Sequence, residues 1–129
     1  MRTNNEPPHL DTRISLWKSI SEFYLDNTLD NDDYARIADT FTRSGYSLSE
    51  IKEIDLHEVF PSLYKNLLLV SGEWSGFDEE WLIKECTMNY QRKEFPLFRL
   101  FSKIQNRYHR YLTEEHWNKV ELAMNTSSN

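Results

Sequence analysis

Carboxylates are the side chains in this sequence dense enough to suggest chemistry. Asp26, Asp30, Asp32 and Asp33 crowd one segment, and Glu73, Asp78 and Glu79 mark a second. Such acids can hold a cation, trade protons or attract a basic partner. A helix–loop–helix calcium site needs acids at alternating positions, a glycine at the sixth and a glutamate at the twelfth. Asn31 and Ala35 break that pattern. Acid–base catalysis needs two acids facing each other across a cleft, one of them with a raised pKa. Nothing in the sequence selects such a pair. Helix capping and solvated charge account for the acids locally, and attraction of a basic protein is the functional reading that remains.

The other reactive side chains are poorly placed for catalysis. Zinc is ligated by histidines that share a helical face, three or four residues apart, or by added cysteines. His57, His109 and His116 lack that spacing, and Cys86 is the only thiol. Cys86 follows Ile83 in a helical pattern, which predicts a buried, inert thiol. Val70-Ser71-Gly72 lacks the first glycine of a nucleophile turn, and there is no phosphate-cradling glycine loop. The expectation is a protein without enzymatic activity, metal or cofactor.

Charge is distributed unevenly. From Ile20 to Glu80 there are fourteen acidic side chains against four basic ones, whereas Trp81 to Asn129 has eight basic against five acidic. A strongly negative half attracts a basic protein over long range and repels nucleic-acid phosphate. Arg99, Lys103, Arg107 and Arg110 form a basic face that could touch RNA or DNA with help from Tyr108 and Tyr111. Four charges on a chain of pI near 5.2 argue against nucleic acid as the main partner, and pairing with the acidic half is the expected role. Trp74, between Gly72 and Gly76, suits either a core plug or an exposed anchor for a partner.

These groups must be carried by helices. The chain has three glycines and no Asn-Gly or Asp-Gly hairpin signal, and its apolar residues recur at three and four. This predicts an all-α fold: a compact single-domain bundle of about six short helices over residues 11–124, with a flexible leader over 1–10 and a frayed tail over 125–129. Ile14, Trp17, Ile20 and Tyr24 line a first helix. Asp26–Asp33 supplies the cap of a second, whose stripe is Tyr34, Ile37, Ala38 and Phe41 and whose end is Gly45. Ser47-Leu-Ser-Glu50 reads as a capping box, and Asp55-Leu-His-Glu58 as the start of another short helix. Pro61 opens the next, with Leu67–Val70 open to a strand reading. Asp78 caps a helix that carries Trp81, a core residue. Leu97, Phe101, Ile104, Tyr108 and Tyr111 form the buried stripe of a long helix, and Thr113 caps a last one with Trp117, Val120 and Met124. Aromatics, with four Trp, seven Tyr and seven Phe, supply bulk for a single core. The leader has no apolar run of the secretory kind, and no stretch approaches the ~20 residues of a membrane span. With its single cysteine the chain is expected in the cytoplasm.

Four stretches, Ser21-Glu-Phe-Tyr-Leu-Asp26, Asp33-Tyr-Ala-Arg-Ile-Ala38, Ser44-Gly-Tyr-Ser-Leu48 and Gly72-Glu-Trp-Ser-Gly-Phe-Asp-Glu-Glu-Trp-Leu82, resemble a small bacterial family known as a domain of unknown function. The resemblance covers Trp17–Glu85, implies a bacterial source and assigns no role to any residue. Joined to the charge layout, it frames the functional expectation: a non-catalytic binding protein, with an immunity protein that occludes the basic active site of a toxin nuclease as the leading case. Asp26, Asp30, Asp32, Asp33, Glu73, Trp74, Asp78 and Glu79 are the expected contact residues. The alternatives are a regulatory or small-molecule-binding protein, and a nucleic-acid module using helix 97–111.

Overall fold

A computed structural model describes residues 7–24, 28–63, 78–92, 94–109 and 113–127. Asp26, Glu73, Trp74, Arg110, Tyr111 and the Leu67–Val70 run lie outside the described residues. Among the described residues every regular element is helical: α1 (Leu10–Ser21), α2 (Asn31–Arg43), α3 (Leu48–Ile54), α4 (Glu79–Arg92), α5 (Pro96–His109) and α6 (Glu114–Ser127). A 3₁₀ turn, Glu22–Tyr24, extends α1, and a wide π-helical turn, Asp55–Val59, extends α3 into further helix over 60–63. The fold is all-α, as the spacing predicted.

Local chemistry explains where these helices start and stop. Asp30 accepts from the Asp33 N–H while Asp33 accepts from the Asp30 N–H, and Ser47 and Glu50 do the same for α3. Each exchange satisfies amides that the first helical turn leaves without partners. Gly45, with φ of 81°, follows α2 in the left-handed conformation that glycine adopts without a steric penalty. Asp78 accepts from the Glu80 N–H at 2.9 Å and opens α4. Pro7 is buried, and α6 runs past Met124 to Ser127.

The core joins Leu16, Trp17 and Ile20 of α1, the whole expected stripe of α2, Ile51 and Ile54 of α3, Leu82 and Cys86 of α4, and Trp117 and Val120 of α6. Trp81 and Met124 are partly buried against it. α1 packs on α2, on α4 and on the wide turn; α6 packs mainly on α2, and α5 on the wide turn.

Two sequence expectations are corrected. Asp55-Leu-His-Glu58 does not cap a new helix, because the helix begun at Leu48 continues through it. Asp55 and Glu58 fall on the buried side that Ile51 and Ile54 begin. Pro61 accordingly sits inside a running helix. It has no N–H to give and its ring crowds the carbonyl four residues back; the ladder widens just ahead of it, where the Phe60 N–H donates to the Asp55 carbonyl. The second correction concerns α5. Leu97, Phe101 and Ile104 of its apolar stripe are exposed, Leu97 by 81%, and among its described side chains the buried ones are Ser102 and Asn106; the Tyr108 side chain lies outside those described. Arg99, Lys103 and Arg107 are exposed as well, and among the described residues no ion pair ties them to the acidic half.

Candidate functional site

The acids of α2 and α4 converge at the C-terminal end of α1. Lys18 and Glu22 are four residues apart and share a face. Lys18 Nζ meets Glu79 Oε1 at 2.6 Å, which brings the start of α4 to that face. Glu22 accepts two bonds from the Arg36 guanidinium, at 2.7 and 2.9 Å, and Arg36 also reaches Asp33 at 3.3 Å, which brings the start of α2. The helix starts that carry Asp30, Asp32 and Asp33, and Asp78, Glu79 and Glu80, are therefore both tied to the C-terminal end of α1. Lys18 and Arg36 compensate part of their charge, and Asp32 and Glu80 remain exposed. The Asp30 N–H holds the Asp33 carboxyl below its ordinary pKa, with Arg36 adding to the effect, while Glu22 raises the pKa of Arg36. Alongside runs an open groove of about 440 Å³ between α1 and α2, lined by Ser15, Lys18, Glu22, Arg36, Asp39 and Arg43.

Asp30, Asp33 and Asp78 have structural work as caps, so binding is not needed to account for them. Asp32 and Glu80 take no side-chain part in capping. Among the described residues no three His, Cys, Asp or Glu side chains come together as a metal cage.

The buried polar centre escaped sequence reasoning. Arg13 of α1 donates through Nε and a terminal nitrogen to the two Glu58 oxygens, at 3.0 and 3.1 Å, and Trp17 Nε1 donates to Glu58 at 2.9 Å. The guanidinium lies over the Tyr90 ring at 4.9 Å and beside Tyr46 at 5.8 Å. Burial opposes its charge, and the hydrogen bonds and charge of Glu58, with Tyr46 and Tyr90 adding, together outweigh that so that its pKa rises. Asn89 of α4 donates to the Glu58 carbonyl and to Ser62 Oγ, and Tyr24 donates to Asp55 at 2.8 Å. Two signals were available: Arg13 sits on the Leu16/Trp17/Ile20 face, and Glu58 on the Ile51/Ile54 face. Above the pair opens a cleft of about 420 Å³ rimmed by Glu50, Glu53, His57, Glu94 and Arg99. The pair itself is saturated and holds helices together.

Cys86 is fully buried, and burial pushes its thiol pKa up, the opposite of what a nucleophile needs. His57 Nε2 lies 3.1 Å from Glu53, one turn away. The His109 backbone closes α5. His116 stacks on Phe23, and its Nδ1 lies 2.6 Å from the Tyr34 hydroxyl. Desolvation lowers its pKa, with Glu115 and Lys119 pulling in opposite directions. With the ring neutral and protonated on Nε2, Tyr34 donates to Nδ1. A depressed pKa makes this contribution to stability complete above the ordinary histidine value of about 6.5 and lost as pH falls through the folded value. Urea unfolding from pH 7.5 downward should show stability declining below about 6.5, with a shallower decline in H116Q.

The chain belongs to the DUF7079 family, a domain of unknown function whose model matches residues 11–123. No curated protein and no solved structure matches it. Among the described residues, no helix is long and apolar enough to cross a membrane.

Proposed function

We propose that this protein is a non-catalytic binding protein that presents the acidic end to a basic protein, in the manner of a cytoplasmic immunity protein occluding the active-site cleft of a toxin nuclease. The observation that carries the reading is the convergence of two acid-rich helix starts on one end of α1, with more carboxylates than Lys18 and Arg36 can neutralise. A nuclease must attract a polyanion, so its cleft is basic, and a cluster of carboxylates held on rigid helix ends can stand in for phosphates. The inert Cys86 and the saturated Arg13–Glu58 pair are in keeping with occlusion rather than chemistry.

Asp30 and Asp33 are unsuitable for the test because their loss uncaps α2. D32K/E80K reverses charge while leaving both caps in place. Affinity purification from the native bacterium should return one basic protein in a complex that weakens with salt, and D32K/E80K should weaken capture at least about tenfold at low salt with unfolding unchanged. Equal capture by the variant, or no basic protein in the eluate, overturns the reading.

A further inference from the structure

Helix α5 carries a surface that the acidic helix starts do not explain. On α5, Leu97, Leu100, Phe101 and Ile104 follow the three-and-four spacing of one helical ridge. They are 81%, 55%, 53% and 46% exposed, and Phe95, just ahead of the helix, is 63% exposed. Single exposed apolar residues are ordinary, but a continuous ridge marks a contact surface. The helix cannot bury the ridge by turning, since Ser102 and Asn106 are already inside. Arg99, Lys103 and Arg107 border one edge of the ridge, spaced by four. Along that edge a cleft of about 380 Å³ separates α5 from the wide turn, with Leu56, His57 and Leu100 among its walls and, among the described residues, Glu53 as its one carboxylate beside Arg99 and Lys103.

We propose that this face docks an amphipathic helix of a protein partner whose polar flank is acidic. Such a helix lays its apolar side along the Leu97–Ile104 ridge and sets its carboxylates against Arg99, Lys103 and Arg107. A second copy of the chain fits less well. Antiparallel pairing about a two-fold axis sets the basic edge against itself. An anionic lipid surface also fits less well, because the chain carries a net charge of −6 and only one edge of the ridge is basic.

The test uses the full chain and two synthetic helical peptides that share leucines at i, i+3, i+4 and i+7 but carry glutamate or lysine along one flank. NMR titration should show the glutamate peptide binding at least about tenfold tighter, with shifts confined to α5 and the wide turn. R99E/K103E should invert that preference. L97Q/L100Q should weaken both peptides about tenfold and leave the melting temperature unchanged, because these side chains are 81% and 55% exposed. Equal binding of the two peptides overturns the proposal. So does dimerisation that L97Q/L100Q abolishes, binding to phosphatidylglycerol vesicles tighter than to the glutamate peptide, or protection of Leu97 and Leu100 from radical footprinting in the monomer. D32K/E80K should not alter peptide binding, which separates this surface from the acidic end.

Discussion

Replacing Glu58 by alanine should cost about 3–5 kcal/mol of folding stability. That is a large share of the roughly 5–15 kcal/mol available to a domain of this kind. Glu58 is 1% exposed, and two buried groups depend on its carboxylate. Arg13 would keep its charge in a site closed over by Tyr46 and Tyr90, Trp17 would lose the acceptor of its indole N–H, and α1 would lose its polar link to the wide turn. The penalty comes from stranding a buried charge more than from the worth of the pair. The double variant R13M/E58L should therefore recover most of the loss, short by about 1–3 kcal/mol for the orphaned Trp17 N–H. Urea denaturation with constant slope measures both. An E58A loss below about 1 kcal/mol would show that the pair behaves as a surface ion pair.

The second large effect is expected at Trp117. Its ring stacks on Phe41 at 5.8 Å, meets the edge of Phe23 at 5.0 Å and lies under Lys52 at 5.9 Å, so one side chain ties α6 to α2, α3 and the 3₁₀ turn. W117A should cost about 3–5 kcal/mol through lost burial and the cavity left behind. The loss should also be local in its first effect. Val120 is the other fully enclosed residue of α6, so hydrogen exchange should show α6 amides opening before those of α1. Uniform loss of protection across both helices would contradict that order. W117F, which keeps a ring in the same place, should be markedly milder.

These two sites divide what the sequence revealed from what it did not. Trp117 was placed correctly by spacing alone, as were Tyr34, Ile37, Ala38 and Phe41, because a three-and-four apolar stripe reports a buried face directly. A cap from the Asp26–Asp33 segment, the Ser47/Glu50 box, the Asp78 cap and Gly45 were legible for a similar reason: each is satisfied within one turn of chain. Glu58 was misread because Asp55-x-x-Glu58 has the form of a capping motif, and only tertiary packing reveals that Arg13 lies opposite. The stripe on α5 was found, but periodicity gives a face and not its direction. There the polar side, with Ser102 and Asn106, went inward. Convergence of the α2 and α4 acids was equally beyond reach, since it depends on where α1 sets Lys18 and Glu22 rather than on any local pattern.

The wide turn at Asp55–Val59 bears on that misreading. Spreading the ladder to five residues shifts the rotational phase of the helix, so Glu58, Val59 and Phe60 are buried in succession, as are Ser62 and Leu63. The broadened turn thus works as an angular offset, by which one continuous rod keeps Ile51 and Ile54 before it and Phe60 and Leu63 after it in the same core.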